Sequence, residues 1–194
     1  MSVADEIAVL RIEMLDIEPL IWRRVAVRTS MSLKMLHGVI QVVMGWLDYH
    51  LWEFEVNERK YGELLPNDPE WNARITNAAK TKLSALLAGD MREIEYVYDM
   101  GDNWQHRIIV EKLMAAEFTT QYPLFLGGER RCPPEDCGGF PGYCEFLDNL
   151  ASKNSTERKA ALSWYGGAYD PDDIDERNVV AALKRMGRAG HSKR

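Results

Sequence analysis

The sequence predicts an α+β fold: a mixed or antiparallel sheet with one helix packed across it, plus a helical C-terminal part. Three observations carry this. Apolar and polar residues alternate over residues 10–14 and 52–56, the period of two of a half-buried strand. Between them, Leu33, Leu36, Val39, Ile40, Val43 and Met44 recur at helical spacings of three and four. Beyond residue 122 the chain turns to a stretch rich in Gly, Pro and Cys and then to helical patterns. A hairpin, a crossing helix and further strands fit a layered α+β domain, and a β-grasp-like core is one arrangement of it. The expectation is a single domain over 1–194, sheet-rich over 1–122, with the loop and the C-terminal helices over 123–194.

Leu10, Ile12 and Met14 form the apolar side of the first strand, and Pro19 ends the turn after it by fixing its own φ and restricting Glu18. A second strand follows over 21–28. Ser32 is placed to accept from an unpaired N–H of the next helix, and Gly45 to end that helix in the left-handed conformation. Residues 57–60 turn into Tyr61-Gly62. The stretch 64–76, punctuated by Pro66 and Pro69, reads as a loop. Thr81 caps a short helix closed near Gly89. Residues 94–99 and 104–112 pair as a hairpin around Met100-Gly101-Asp102-Asn103. Residues 123–142 read as a loop. Helices follow over 143–150, 156–165 and 171–186, the last with Asp170 as its cap and Pro171 at its first position. Asp172, Asp173, Asp175 and Glu176 at its start, and Lys184, Arg185 and Arg188 at its end, suit the helix dipole. Residues 187–194 are expected to fray.

Composition narrows the function classes. With 24 basic and 30 acidic residues the net charge is −6, which excludes a uniformly basic nucleic-acid binder. No apolar run approaches the ~18 residues of a membrane helix, so no membrane partner is expected. Residues 1–6 carry two acids and no basic flank, unlike a leader peptide. Cys132, Cys137 and Cys144 are odd in number, and a reduced, cytoplasmic chain is expected. There is no Walker A loop, no Gly-x-Gly-x-x-Gly turn and no Gly-x-Ser-x-Gly elbow.

Two clusters can hold a metal, zinc or another divalent ion. Asp99 and Asp102 flank a tight turn and His106 follows on the next strand; with His50 they would make a mixed nitrogen and oxygen site. Turn chemistry explains both aspartates equally well, because Asp side chains cap their own backbone. In the second cluster Cys132 and Cys137 have a zinc-like spacing, with Cys144 as a third ligand and a histidine as the fourth. Packing of reduced thiols in a stiff loop is the plain alternative. Glu135 or Asp136 would serve as a general base. His37 sits among apolar positions and reads as a satisfied core or edge histidine. Trp22-Arg23-Arg24 with Arg28 is a weak nucleic-acid candidate; solvated charges on an edge strand explain it as well.

Read together, these segments resemble a known family. The opening run Glu18-Pro19-Leu20-Ile21-Trp22-Arg23-Arg24 is followed by Leu36-His37, Ile40-Gln41, Gly45-Trp46 and His50-Leu51 with Phe54. Then come Tyr98-Asp99-Met100-Gly101-Asp102-Asn103-Trp104-Gln105-His106 and Cys132-Pro133-Pro134-Glu135-Asp136-Cys137-Gly138-Gly139 with Gly142-Tyr143. Trp164 and Tyr169-Asp170-Pro171 close the series. In this order, over about residues 10–186, they are similar to the plasmid pRi ORF-three-like proteins. The resemblance implies one α+β domain found in plasmid, transposon and chromosomal settings, without an established activity. Some relatives ride on insertion elements and are labelled TnpR-type resolvases. Ser2, Ser30 and Ser32 lack the arginine cluster of a serine recombinase, and no helix-turn-helix is readable.

The first functional expectation is a non-enzymatic binding or accessory protein of mobile-element biology, with a protein or nucleic acid as partner. The second is a metal-dependent hydrolase or nuclease built on His50, Asp99, Asp102 and His106. The third is DNA binding through Arg23, Arg24 and Arg28.

Overall fold

The computed structural model describes residues 6–89 and 91–191. The expectation of no leader over 1–6 and of fraying over 187–194 therefore falls partly outside the described residues. Strands β1 (Glu6–Met14) and β2 (Trp22–Arg28) form the opening hairpin, and helix α1 (Leu33–Met44) crosses after them. Next come β3 (Trp52–Val56), β4 (Arg59–Gly62), α2 (Pro69–Arg74), β5 (Ile75–Asn77) and α3 (Leu83–Leu86). The β6 (Glu93–Tyr98) and β7 (Trp104–Ala115) hairpin precedes β8 (Leu124–Glu129), α4 (Gly139–Ala151), α5 (Ser155–Tyr165) and α6 (Glu176–His191). The eight strands lie in one sheet in the order β5-β4-β3-β6-β7-β1-β2-β8. The sheet is antiparallel except where β4 and β5 run parallel.

The period of two in the strands separates the two faces. Leu10, Ile12, Met14, Val25, Phe54, Tyr96, Ile108 and Val110 point to one side and are fully buried there with α1. Each such side chain contributes about 1.5–3 kcal/mol by leaving water. The other face carries charge ladders: Glu13 bridges Arg11 at 2.6 Å and Arg107 at 2.8 Å, and Arg24 holds Glu111 through two nitrogens. Burial raises the Glu13 carboxyl, but the two guanidinium groups outweigh it and the net shift is downward. Helix α1 has the predicted bounds. The Ser32 side chain accepts from the Met35 N–H, and Gly45 closes the helix at φ +86°.

Several elements differ from expectation. Residues 124–129 form a strand because β2 offers its free edge; Gly128 makes the approach possible, since a Cβ there would lie 2.7 Å from the Arg23 Cδ and 2.8 Å from the Trp22 carbonyl oxygen. The 64–76 loop contains α2, capped by Asp68, and β5. Thr81 does not cap α3: its hydroxyl donates to the Asn77 carbonyl, and Lys82 occupies the cap position without a side-chain bond. Helix α6 starts at Glu176, not Pro171, because Asp170 and Asp173 close local turns on the N–H groups of Asp172 and Asp175, and Asp175 is left-handed at φ +55°. Asn154 caps α5 by accepting from the Thr156 N–H. The main apolar cluster of the core runs from Ala8 to Leu183, with α6 packed on α1 and β8, and a small second one joins Ile7, Ala26 and Tyr122.

Candidate functional site

Three separated segments meet at one end of the sheet. The first is the β6–β7 turn, where Asp99 and Asn103 take left-handed φ values of 57° and 56°, a conformation that Asp and Asn tolerate. The Asp99 Oδ1 accepts from the N–H groups of Gly101 (2.9 Å) and Asp102 (3.2 Å), as turn chemistry requires. Its second oxygen is left to face His50, with Oδ2 3.6 Å from Nε2.

The second segment is the loop between β8 and α4. Its Pro133 carbonyl accepts from the Trp46 indole at 3.0 Å. The Glu135 carboxylate accepts from the Leu47 N–H at 2.7 Å and from the Tyr98 hydroxyl at 3.0 Å, tying this loop to the end of α1 and to β6. Asp102 reaches the same loop, accepting from the Gly138 N–H at 3.2 Å. Gly139 follows at φ +67°, and a Cβ there would sit 2.9 Å from the Asp102 carbonyl oxygen. The loop and the turn thus meet backbone to backbone, which sets the position of Asp136.

The third segment is 46–51, after α1. The His50 Nε2 lies 3.0 Å from the Asp136 Oδ1 and 4.0 Å from the Glu135 Oε2. That nitrogen is buried, yet none of these contacts has hydrogen-bond alignment. His50, Asp99 and Asp136 bring one ligand atom each to within 4.8 Å of one another, the group of metal-ligating side chains that converges among the described residues. An imidazole with two carboxylates carries the charge and donor mixture that a divalent transition metal takes. His50 is partly exposed and Asp136 is 69% exposed, so the solvent side of the cluster is open.

The other predicted site residues lie elsewhere. Asp102 is turned to Gly138 and does not join the cluster. His106 is also absent from it: its ring is buried on the helix side of the sheet, edge-on to Trp46, with Nδ1 3.3 Å from the Tyr96 carbonyl. That carbonyl makes Nδ1 the protonated nitrogen and leaves Nε2 bare; burial pushes the imidazole down to about 4. The three cysteines are free thiols and do not converge with a histidine among the described residues. Cys132 is buried against the Met44 sulfur at 3.1 Å, and burial raises its thiol. Cys137 faces the Gly139 carbonyl and is pushed up to about 12, by burial first and then by the charges of Asp102 and Asp136.

The arginines form no continuous exposed stripe. Arg23 is 1% exposed and lies in an interior strand, Arg24 is paired with Glu111, and Arg28 lies over the Tyr122 ring. β2 is not an edge strand, because β8 covers it.

His37 is a satisfied core histidine, as its sequence position suggests. The Gln41 amide donates to the Tyr96 hydroxyl, and the Asp48 N–H donates to the Gln41 Oε1, which fixes the amide. The Tyr96 hydroxyl then donates to the His37 Nδ1 at 2.8 Å, and the His37 Nε2 donates to Asp48 at 2.7 Å. Burial lowers the His37 imidazole despite Asp48, consistent with this neutral form. The sequence suggests Asp136 as a base and does not place it beside His50. Its residue type was visible, but its neighbour His50 is 86 positions away.

The sequence model of the plasmid pRiA4b ORF-3-like proteins matches residues 6–178. The uncharacterized protein y4hQ of Sinorhizobium fredii is 37% identical over 163 residues, 83% of this chain and 82% of its own length. The crystal structure of the protein of unknown function MM3350 from Methanosarcina mazei Go1 superposes with a TM-score of 0.79 at 33% identity, covering 89% of this chain and 97% of that one. Neither name assigns an activity.

Proposed function

This chain belongs to the plasmid pRiA4b ORF-3-like family, and from that premise we propose that it binds a divalent cation through His50, Asp99 and Asp136. The supporting observation is the buried His50 Nε2, within 3.0–3.6 Å of two carboxylate oxygens and hydrogen-bonded to neither. Two carboxylates balance the charge of a divalent ion, and an imidazole favours zinc or a similar metal. Three protein ligands leave positions for water, and such an ion lowers the pKa of bound water towards 7. The function read from this site is metal-dependent hydrolysis. Glu135, the nearest further carboxylate and already held by Leu47 and Tyr98, is the residue that would orient the water. The reading places the chain in the cytoplasm, where thiols such as those of Cys132, Cys137 and Cys144 stay reduced.

Titration calorimetry with Zn²⁺ and Mn²⁺ is the test. The expected result is one ion per chain, lost in His50→Ala and Asp136→Asn and retained in Cys137→Ser. Equal binding by His50→Ala would sink the reading. A panel of ester and phosphodiester substrates, assayed with the bound metal and with His50→Ala as control, tests the chemistry.

A second reading, an accessory protein for a protein or nucleic-acid partner, is favoured by the exposed side chains of Leu47, Tyr49, Leu51 and Met100 near the cluster, which are 37–67% exposed. It predicts metal binding without hydrolysis, and loss of partner capture in Tyr49→Ser.

A further inference from the structure

A cleft of about 780 Å³ opens between the β8–α4 loop and the helices α5 and α6. Arg23 lines its floor. The guanidinium donates to the carbonyls of Val43 (2.7 Å), Trp22 (2.8 Å) and Glu129 (2.9 Å) and lies 3.5 Å from the Cys132 sulfur. No carboxylate pairs with it among the described residues, although buried charges are ordinarily paired. Arg131 and Arg185 also line the cleft, and neither makes an ion pair among the described residues; Arg131 lies instead 5.4 Å from the Tyr169 ring centroid. The two acids of the lining each accept hydrogen bonds from neighbouring groups. Glu135 is held by Leu47 and Tyr98, and Asp175 accepts from the Asn178 amide at 2.8 Å. Trp164 lines the same cleft with 53% of its surface exposed.

Three guanidinium groups that pair with no carboxylate among the described residues favour an anion here. Guanidinium matches phosphate in shape and binds it through paired hydrogen bonds. An exposed indole offers a flat apolar face for a ring, and the volume suits a small organic ligand. We propose that this cleft binds a free mononucleotide, its phosphate held by Arg131 and Arg185 above the fixed charge of Arg23 and its base against Trp164. The assignment is independent of the metal cluster, since His50, Asp99 and Asp136 do not line this cleft.

The full chain is titrated calorimetrically with AMP, inorganic phosphate, adenosine and the 5′-phosphorylated dinucleotide, in EDTA so that no metal contributes. AMP is expected to saturate one site and to bind roughly tenfold tighter than phosphate or adenosine, weakening as salt is raised. Arg131→Ala and Arg185→Ala each weaken AMP several-fold while both variants still unfold cooperatively. Trp164→Ala brings AMP down to the affinity of phosphate. His50→Ala leaves AMP binding intact, so loss of the metal reading would not touch this one. No saturable AMP binding, full affinity in the Arg131→Ala/Arg185→Ala double variant, or tighter binding of the dinucleotide than of AMP would each overturn the proposal.

Discussion

Acid is expected to weaken this fold through His106. In the folded chain its Nδ1–H donates to the Tyr96 carbonyl, its Nε2 has no partner, and burial pushes the imidazole from 6.5 down to about 4. The unfolded chain takes a proton near pH 6.5, while the folded chain refuses it until about pH 4. The neutral imidazole therefore contributes stability that is complete above pH 6.5 and is lost as pH falls towards 4. At 1.36 kcal/mol per unit, the loss between pH 7.5 and pH 4 is about 3 kcal/mol. His37, also lowered by burial, acts in the same direction. The perturbation is His106→Phe, which keeps a ring between Trp46 and Tyr96 and places a carbon where Nε2 has no partner. It gives up the bond to Tyr96, about 1 kcal/mol at pH 7.5. Urea unfolding of both proteins across pH 7.5 to 4 reads the effect. The variant starts less stable and its curve is flatter, so that the two curves cross at acid pH. Parallel curves would refute the assignment of this pH dependence to His106.

Arg23→Leu leaves three carbonyls around a buried site without their donor and is expected to cost about 3 kcal/mol or more, seen as a lower urea midpoint. Gly139→Ala forces a Cβ to 2.9 Å from the Asp102 carbonyl at a left-handed φ, and is expected to lose ~1–2 kcal/mol in strain and to weaken metal binding by moving Asp136; unchanged calorimetric affinity would count against the loop's role. Ser32→Ala removes the α1 cap and is expected to cost about 1 kcal/mol in the same unfolding assay, without effect on either ligand.

The legible parts of this fold are those ruled by near neighbours. Helix α1 could be bounded to the residue because its apolar spacing, the Ser32 cap and the Gly45 stop all act within one turn. The β6–β7 hairpin is readable from its Asp and Asn turn. By contrast, β8 reads as a loop, because two glycines weaken any strand pattern; it becomes a strand only where β2 lends an edge and Gly128 makes room for Arg23. Helix α6 starts later than its sequence suggests for a similar reason. Asp170 and Pro171 are good starters, but Asp170, Asp173 and Asp175 satisfy local turns first.

The candidate site divides along the same line. Sequence alone determined the sheet-and-helix layering and which segments hold side chains of ligand type: the Asp99 turn, the 132–139 loop and His50. It also determined the family resemblance, since motifs survive as residue order. Only the tertiary structure decided that His50 meets Asp99 and Asp136 rather than Asp102 and His106, that the cysteines do not converge, and that Arg23 is buried. The physical reason is range. Periodicity, caps and turns depend on a few bonds of backbone, whereas a ligand set depends on strand order, on which oxygen of Asp99 its own turn consumes, and on a backbone contact between Gly139 and Asp102, 37 positions apart.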